Sequence, residues 1–176
     1  MIDAVFLRPA HHPQPPLRIG GGIACQRKHH TVMLSAQEGT FRKTGTLLKP
    51  LSRSTEFISG KVIPLNLTLA AALCGTEYLP SMQGNVISLE EIGEPVRKID
   101  RMLQQLFMSG FFNGAEAVIF AQFTDCENSR LQMNLFRDFA AHVSCPVYCG
   151  FPYGHDLPSV SFRFGEPCRI AGRELQ

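Results

Sequence analysis

Residues 85–110 read NVISLEEIGEPVRKIDRMLQQLFMSG, and their hydrophobic period changes partway along. Asn85 to Leu89 reads as a short alternating strand that ends in acid at Glu90-Glu91. Pro95 then opens a helix of period 3.6, with Val96, Ile99, Met102, Leu103, Leu106 and Phe107 on one stripe. Arg97, Lys98, Asp100, Arg101, Gln104 and Gln105 fill the opposite face, and Gly110 is placed to stop the helix. Glu94, just ahead of Pro95, reads as the acid that caps this helix at its electropositive start. A strand followed by an amphipathic helix is half of a βαβ unit.

The next segments supply the other half. Ala115 to Phe123 (AEAVIFAQF) is a near-continuous apolar run, as expected of a strand buried on both faces. Asn128 or Ser129 can cap a helix with Leu131, Leu135, Phe136 and Phe139 on its inner stripe. Pro146 to Cys149 reads as another strand, followed by the loop Gly150-Phe151-Pro152-Tyr153-Gly154-His155-Asp156. Ser159 to Phe164, a turn at Gly165-Glu166-Pro167 and Cys168 to Ala171 read as an antiparallel edge hairpin. Upstream, Leu65 to Cys74 is a Leu/Ala-rich helix former with Pro64 in its first turn and Gly75 after it. Strand–helix–strand–helix–strand implies parallel pairing through right-handed crossovers, and the class is α/β.

Length and composition agree with one ordinary domain. The chain has 176 residues, 44% hydrophobic and 18% charged, which describes a globular rather than a disordered protein. No apolar run approaches the ~20 residues a bilayer span needs, and the N-terminus lacks the flanks of a secretory signal. Residues 1–44 differ from the rest. They hold a polyproline-like stretch, His11-His12-Pro13-Gln14-Pro15-Pro16, and a Gly20-Gly21-Gly22 breaker. They read as a poorly ordered arm before a domain spanning 45–176.

Charge and metal-type residues exclude several functions. Residues 1–60 carry eight Lys/Arg against three acids, whereas residues 61–176 carry nine against twelve. The basic residues lack interleaved aromatics, and the anionic remainder disfavours a phosphate track, so no nucleic-acid partner is expected. The triple glycine runs into Ile23-Ala24-Cys25-Gln26 and so fails both the phosphate-loop and the dinucleotide patterns. The six cysteines (Cys25, Cys74, Cys126, Cys145, Cys149, Cys168) make no CxxC pair. They read as reduced small hydrophobes. His11-His12 and His29-His30 are adjacent pairs without metal-ligand spacing. No metal or cofactor is expected.

In an open parallel sheet, ligands gather at the carboxyl ends of strands. Glu90 and Glu91 follow one strand there, and His155 lies in the loop after another. A carboxylate that orients an imidazole is two thirds of a hydrolytic triad.

Several further blocks carry a resemblance. Leu65-Asn66-Leu67-Thr68-Leu69, Cys74-Gly75-Thr76-Glu77-Tyr78-Leu79-Pro80, Ser88-Leu89-Glu90-Glu91-Ile92-Gly93-Glu94-Pro95 and Ile99-Asp100-Arg101-Met102-Leu103-Gln104-Gln105-Leu106 occur in order. Phe120-Ala121-Gln122-Phe123-Thr124-Asp125-Cys126 and Gly150-Phe151-Pro152-Tyr153-Gly154-His155 follow. Together, from about residue 45 to 172, they resemble the C-terminal domain of LD-carboxypeptidases. The resemblance implies a cytoplasmic serine peptidase that removes the terminal D-alanine from murein tetrapeptides, without a metal and as a homodimer. It implies a flavodoxin-like N-terminal domain ahead of a three-layer β/β/α domain. Glu90 matches the family's catalytic glutamate and His155 its catalytic histidine, with Glu91 the candidate if the register is off by one.

The same resemblance marks departures. The family's nucleophilic serine and oxyanion donors belong to the N-terminal domain, and only about 44 residues precede the match. No Gly-Tyr-Ser-Asp-like elbow occurs among them, and Ser35, the sole serine in the first 51 residues, has no strand–turn–helix context. The usual Gly-Gly before Asn66-Leu67 is replaced by Pro64-Leu65. The expectation is a chain that hydrolyses little tetrapeptide alone. A non-catalytic remnant or dimerising module is the alternative, and a carboxypeptidase of microcin-type peptide adducts is a further one.

Overall fold

In the computed structural model, residues 46–52, 57–127, 129–161 and 164–176 are described. They fall within one unit, Arg42–Gln176. The elements in chain order are β1 (Thr46–Leu47), β2 (Lys49–Pro50), β3 (Phe57–Asn66), α1 (Leu67–Ala72), β4 (Asn85–Ile92), α2 (Val96–Met108), β5 (Ala117–Thr124), α3 (Ser129–His142), β6 (Val147–Cys149), β7 (Pro167–Ala171) and β8 (Glu174–Leu175). The strands join one sheet in the order β1-β8-β7-β3-β4-β5-β6-β2. The central four are parallel, and the flanking pairs are antiparallel. The fold is mixed α/β, as the sequence pattern predicts.

Each parallel step runs in the same direction across the sheet, so right-handed crossovers place all three helices on one face. The side chains sort accordingly. Ile87, Leu89, Val118, Phe120 and Val147 pack with the helices. Val86, Ala117, Ile119 and Tyr148 point to the other face, where Phe151, Tyr153 and Val160 of the segment after β6 cover them. Phe120 lies at the centre of the helix-side core, stacked on Phe136 with ring centroids 3.8 Å apart and edge-on to Phe139 at 5.4 Å.

α2 begins and ends where its sequence says it should. Ile99, Leu103 and Leu106 are its buried stripe. Gly110, at φ +76°, takes the left-handed conformation that closes the helix. Its N–H donates to Phe107 O, and the Phe111 N–H reaches back to Leu106 O, the paired bonds of a glycine C-terminal cap.

Four expectations are corrected. Leu65, Asn66 and Pro64 belong to β3, and the helix is shorter, with Asn66 as its cap: its Oδ1 accepts from the Leu69 N–H at 3.0 Å. Pro64 fits inside a strand because the Val62 N–H points away from β4, to Glu166 O. Period two puts the missing N–H of Pro64 on that same side, past the end of β7 at the Lys61–Pro167 pair, where no ladder bond is lost. β4 continues through the acids to Ile92 instead of ending at them. The hairpin is β7–β8, turning at Gly172-Arg173, while Ser159–Ser161 forms no strand. Finally, Glu94 does not cap α2, whose N-cap Pro95 has no side-chain hydrogen bond; Glu94 pairs with Lys98 at 3.0 Å. Asn128, the arm and its histidines lie outside the described residues, and among those described no helix is long and apolar enough to cross a membrane.

Candidate active site

Glu90 and Glu91 are neighbours on β4, so their side chains leave opposite faces of the sheet. That alternation separates their roles. Glu91 points to the helix side and is fully engaged. One oxygen accepts from the Thr68 N–H (2.8 Å) and hydroxyl (2.7 Å), the other from Asn66 Nδ2 (3.2 Å) and the Ile92 N–H (2.9 Å). It ties the end of β3 and the start of α1 to β4.

Glu90 points the other way, into the face covered by the segment after β6. Its residue exposure is 5%, and its Oε2 lies 2.8 Å from His155 Nδ1. The imidazole is about half exposed, at 51%. A carboxylate accepts and does not donate, so in this bond Nδ1 carries the ring proton. Nε2 is left as a proton acceptor on the open side. The two residues stand 65 apart in sequence and meet only because β4 and β6 are near neighbours whose carboxyl ends point the same way.

The loop is held by local chemistry. Gly150 N–H donates to Phe120 O at 3.2 Å as the chain leaves β6. Phe151 is buried, and its ring lies 6.2 Å from Tyr153. Burial, and then the charge of Glu90, push the Tyr153 phenol above its ordinary range. Gly154 has φ +147°, and a Cβ there would sit 2.7 Å from Gln122 Cβ. Gly154→Ala is expected to cost about 1–3 kcal/mol, because strain of this kind has to be relieved by opening the loop. Amide exchange across 150–161 would read that opening; unchanged protection and an unchanged urea midpoint would show that the loop absorbs a methyl group.

Other nucleophiles fit poorly among the described residues. Ser88 faces the same side as Glu90, but it is fully buried and its hydroxyl has no hydrogen-bond partner. Burial raises the thiols of Cys126, Cys145 and Cys149, and Cys168 is pushed up to about 11, which disfavours the reactive thiolate. No group of three or more His, Cys, Asp or Glu among the described residues is placed to hold a metal. Ser35 lies outside the described residues. A groove of about 730 Å³ runs between α2 and α3 past Arg97, Phe107, Leu131 and His142. It is on the helix side and contains neither Glu90 nor His155.

Sequence reading did not single out Gln122 as part of this site. Gln122 is the one polar side chain in the run Ala117–Phe123, a visible signal once its place beside the loop is known.

Comparison with known proteins puts these residues inside a matched region. Residues 59–170 match the family described as LD-carboxypeptidase C-terminal domain. The murein tetrapeptide carboxypeptidase of Pseudomonas aeruginosa is 30% identical over 123 residues, 68% of this chain and 40% of that protein. The probable murein peptide carboxypeptidase of Bacillus subtilis is 29% identical over 146 residues, 77% of this chain and 46% of that protein. The crystal structure of muramoyltetrapeptide carboxypeptidase from Oxalobacter formigenes superposes with a TM-score of 0.65 at 22% identity, over 82% of this chain and 52% of that one. The chain thus spans less than half the length of the curated relatives it matches here.

Proposed function

This chain belongs to the LD-carboxypeptidase family through its C-terminal domain, and on that premise we propose that Glu90 and His155 are the acid–base half of a serine-type carboxypeptidase site. The observation that carries the reading is the 2.8 Å bond from His155 Nδ1 to a buried Glu90 carboxylate. The hydroxyl it serves comes from outside the described residues. Nε2 takes the proton of that hydroxyl as its oxygen attacks the carbonyl ahead of the terminal D-alanine. The tetrahedral intermediate collapses as Nε2 returns the proton to the leaving amine. Water then repeats the sequence to free the enzyme. Glu90 stays ionised throughout and stabilises the imidazolium that forms in each half.

The substrate of this reading is a murein tetrapeptide, the substrate named for the Pseudomonas relative. The reading extends to peptidoglycan recycling in the cytoplasm by a homodimer, with residues 45–176 as the catalytic-half domain. Loss of a triad nucleophile costs on the order of 10⁶ in turnover, so the chain alone is expected to release little D-alanine. The test compares release from a murein tetrapeptide by the purified chain alone and with a relative's serine-bearing N-terminal domain added in trans. Release only in the mixture supports the reading. An ordinary rate from the chain alone would place the nucleophile within it, and Ser35→Ala would locate it. No release in either arm would favour a non-catalytic module.

A further inference from the structure

We propose that Gln122 is a positioning residue for His155: a bulge in β5 opposite Glu90 aims its amide into the histidine loop, where it holds the backbone on both sides of the imidazole.

The bulge is read from the register. Leu89 pairs with Phe120 and Glu91 with Phe123, so the two residues Ala121 and Gln122 stand opposite the single residue Glu90. Regular alternation after Phe120 would send Ala121 to the loop side and Gln122 to the helix side. Phe123 nevertheless packs with the helix-side core, as Phe120 does, and Ala121 with the opposite one. The extra residue therefore leaves Gln122 on the loop side, beside Glu90. Bulges of this kind re-aim a side chain at the cost of one ladder position.

Every polar group of Gln122 that faces the loop is used. Its N–H donates to Tyr153 O at 2.9 Å, its Nε2 donates to Pro158 O at 2.9 Å, and its Oε1 accepts from the Asp156 N–H at 2.9 Å. The side-chain partners are a backbone carbonyl and a backbone N–H, which fixes the amide's orientation without ambiguity. His155 lies between the anchored residues 153 and 156. Gly154 completes the fit, because any side chain there would meet the Gln122 Cβ and Oε1, at 2.7 and 2.9 Å. One strand irregularity thus serves both partners of the dyad: it sits across from Glu90 and grips the loop that brings His155 to it.

This inference deepens the Glu90–His155 reading and rests on it for its catalytic meaning, whereas its test needs no turnover. The ring ¹⁵N shifts of His155 in the full chain report which nitrogen carries the proton of the neutral ring. Bonded to Glu90, the ring holds it on Nδ1; a free neutral imidazole favours Nε2. Gln122→Ala is expected to lose the Nδ1–H signature and move toward the free pattern, as the control Glu90→Gln also does, while His142 keeps its own shifts. Gln122→Glu, which keeps the acceptor for Asp156 and loses the donor to Pro158, should fall between. It also covers the case in which the alanine variant folds poorly. A wild-type Nδ1–H signature that survives in both Gln122 variants overturns the proposal. A peptidase assay that fails while the signature depends on Gln122 overturns the functional reading instead.

Discussion

His155→Ala is expected to lower D-alanine release by about 10⁴- to 10⁶-fold, with KM little changed, when the serine-bearing partner is present. The size follows from the step removed. A serine hydroxyl is a weak nucleophile until a base takes its proton, and in the proposed mechanism Nε2 of His155 is that base. Glu90→Gln should cost about 10⁴-fold, because the amide keeps the shape of the carboxylate but no longer selects the tautomer or stabilises the imidazolium. The double variant should be little worse than His155→Ala alone, since the two residues act as one unit. A loss under tenfold in either single variant would remove that residue from the chemistry. A fall in kcat/KM through KM alone would assign it to binding.

The sequence reading and the structure agree where hydrophobic period was strong. β4, α2, β5 and α3 each bury a long enough stripe for the pattern to speak, and their alternation led directly to a parallel sheet. β3 was illegible for a local reason: Ser59, Gly60, Lys61 and Pro64 interrupt its apolar residues, and proline argues against a strand until one knows that its N–H side is unpaired. The edge hairpin has the wrong partner in the sequence reading, which pairs Cys168–Ala171 with Ser159–Phe164 and leaves β8 unread, because segments this short carry too few residues for a period to register.

The dyad was half legible. Alternation along β4 says that Glu90 and Glu91 face opposite sides, but it cannot say which side the helices occupy. That follows from the handedness of the crossovers and becomes specific only when His155 arrives over the free face. The resemblance picked Glu90; the structure adds a reason why its neighbour is occupied elsewhere. Gln122 shows in the sequence only as the one polar residue of an apolar run, and the bulge that turns it toward the loop shifts facing by one residue without leaving a mark in the pattern.

Glu91→Ala is the complementary large effect, on stability. Its carboxylate is 3% exposed as a residue and accepts from four donors, three of them on Asn66 and Thr68. Removing it strands those donors at the junction of β3 and α1, and breaking a buried network of this sort costs about 3–5 kcal/mol. Glu91→Gln keeps an acceptor oxygen and should cost less, about 1–3 kcal/mol. Urea unfolding followed by far-UV circular dichroism measures both, and Thr68→Val tests the coupling. Because the Thr68 hydroxyl donates one of the four bonds and is the group that Thr68→Val removes, the loss in the Glu91→Ala, Thr68→Val pair should be smaller than the sum of the single losses. The ¹⁵N signature of His155 in the same Glu91 variants separates the two acids. If Glu91 is the structural carboxylate, the folded variants keep Nδ1 protonated and bonded to Glu90. If instead Glu91→Ala leaves the unfolding midpoint in place and abolishes that signature, the triad acid is Glu91 and the division of labour between the two faces of β4 is reversed.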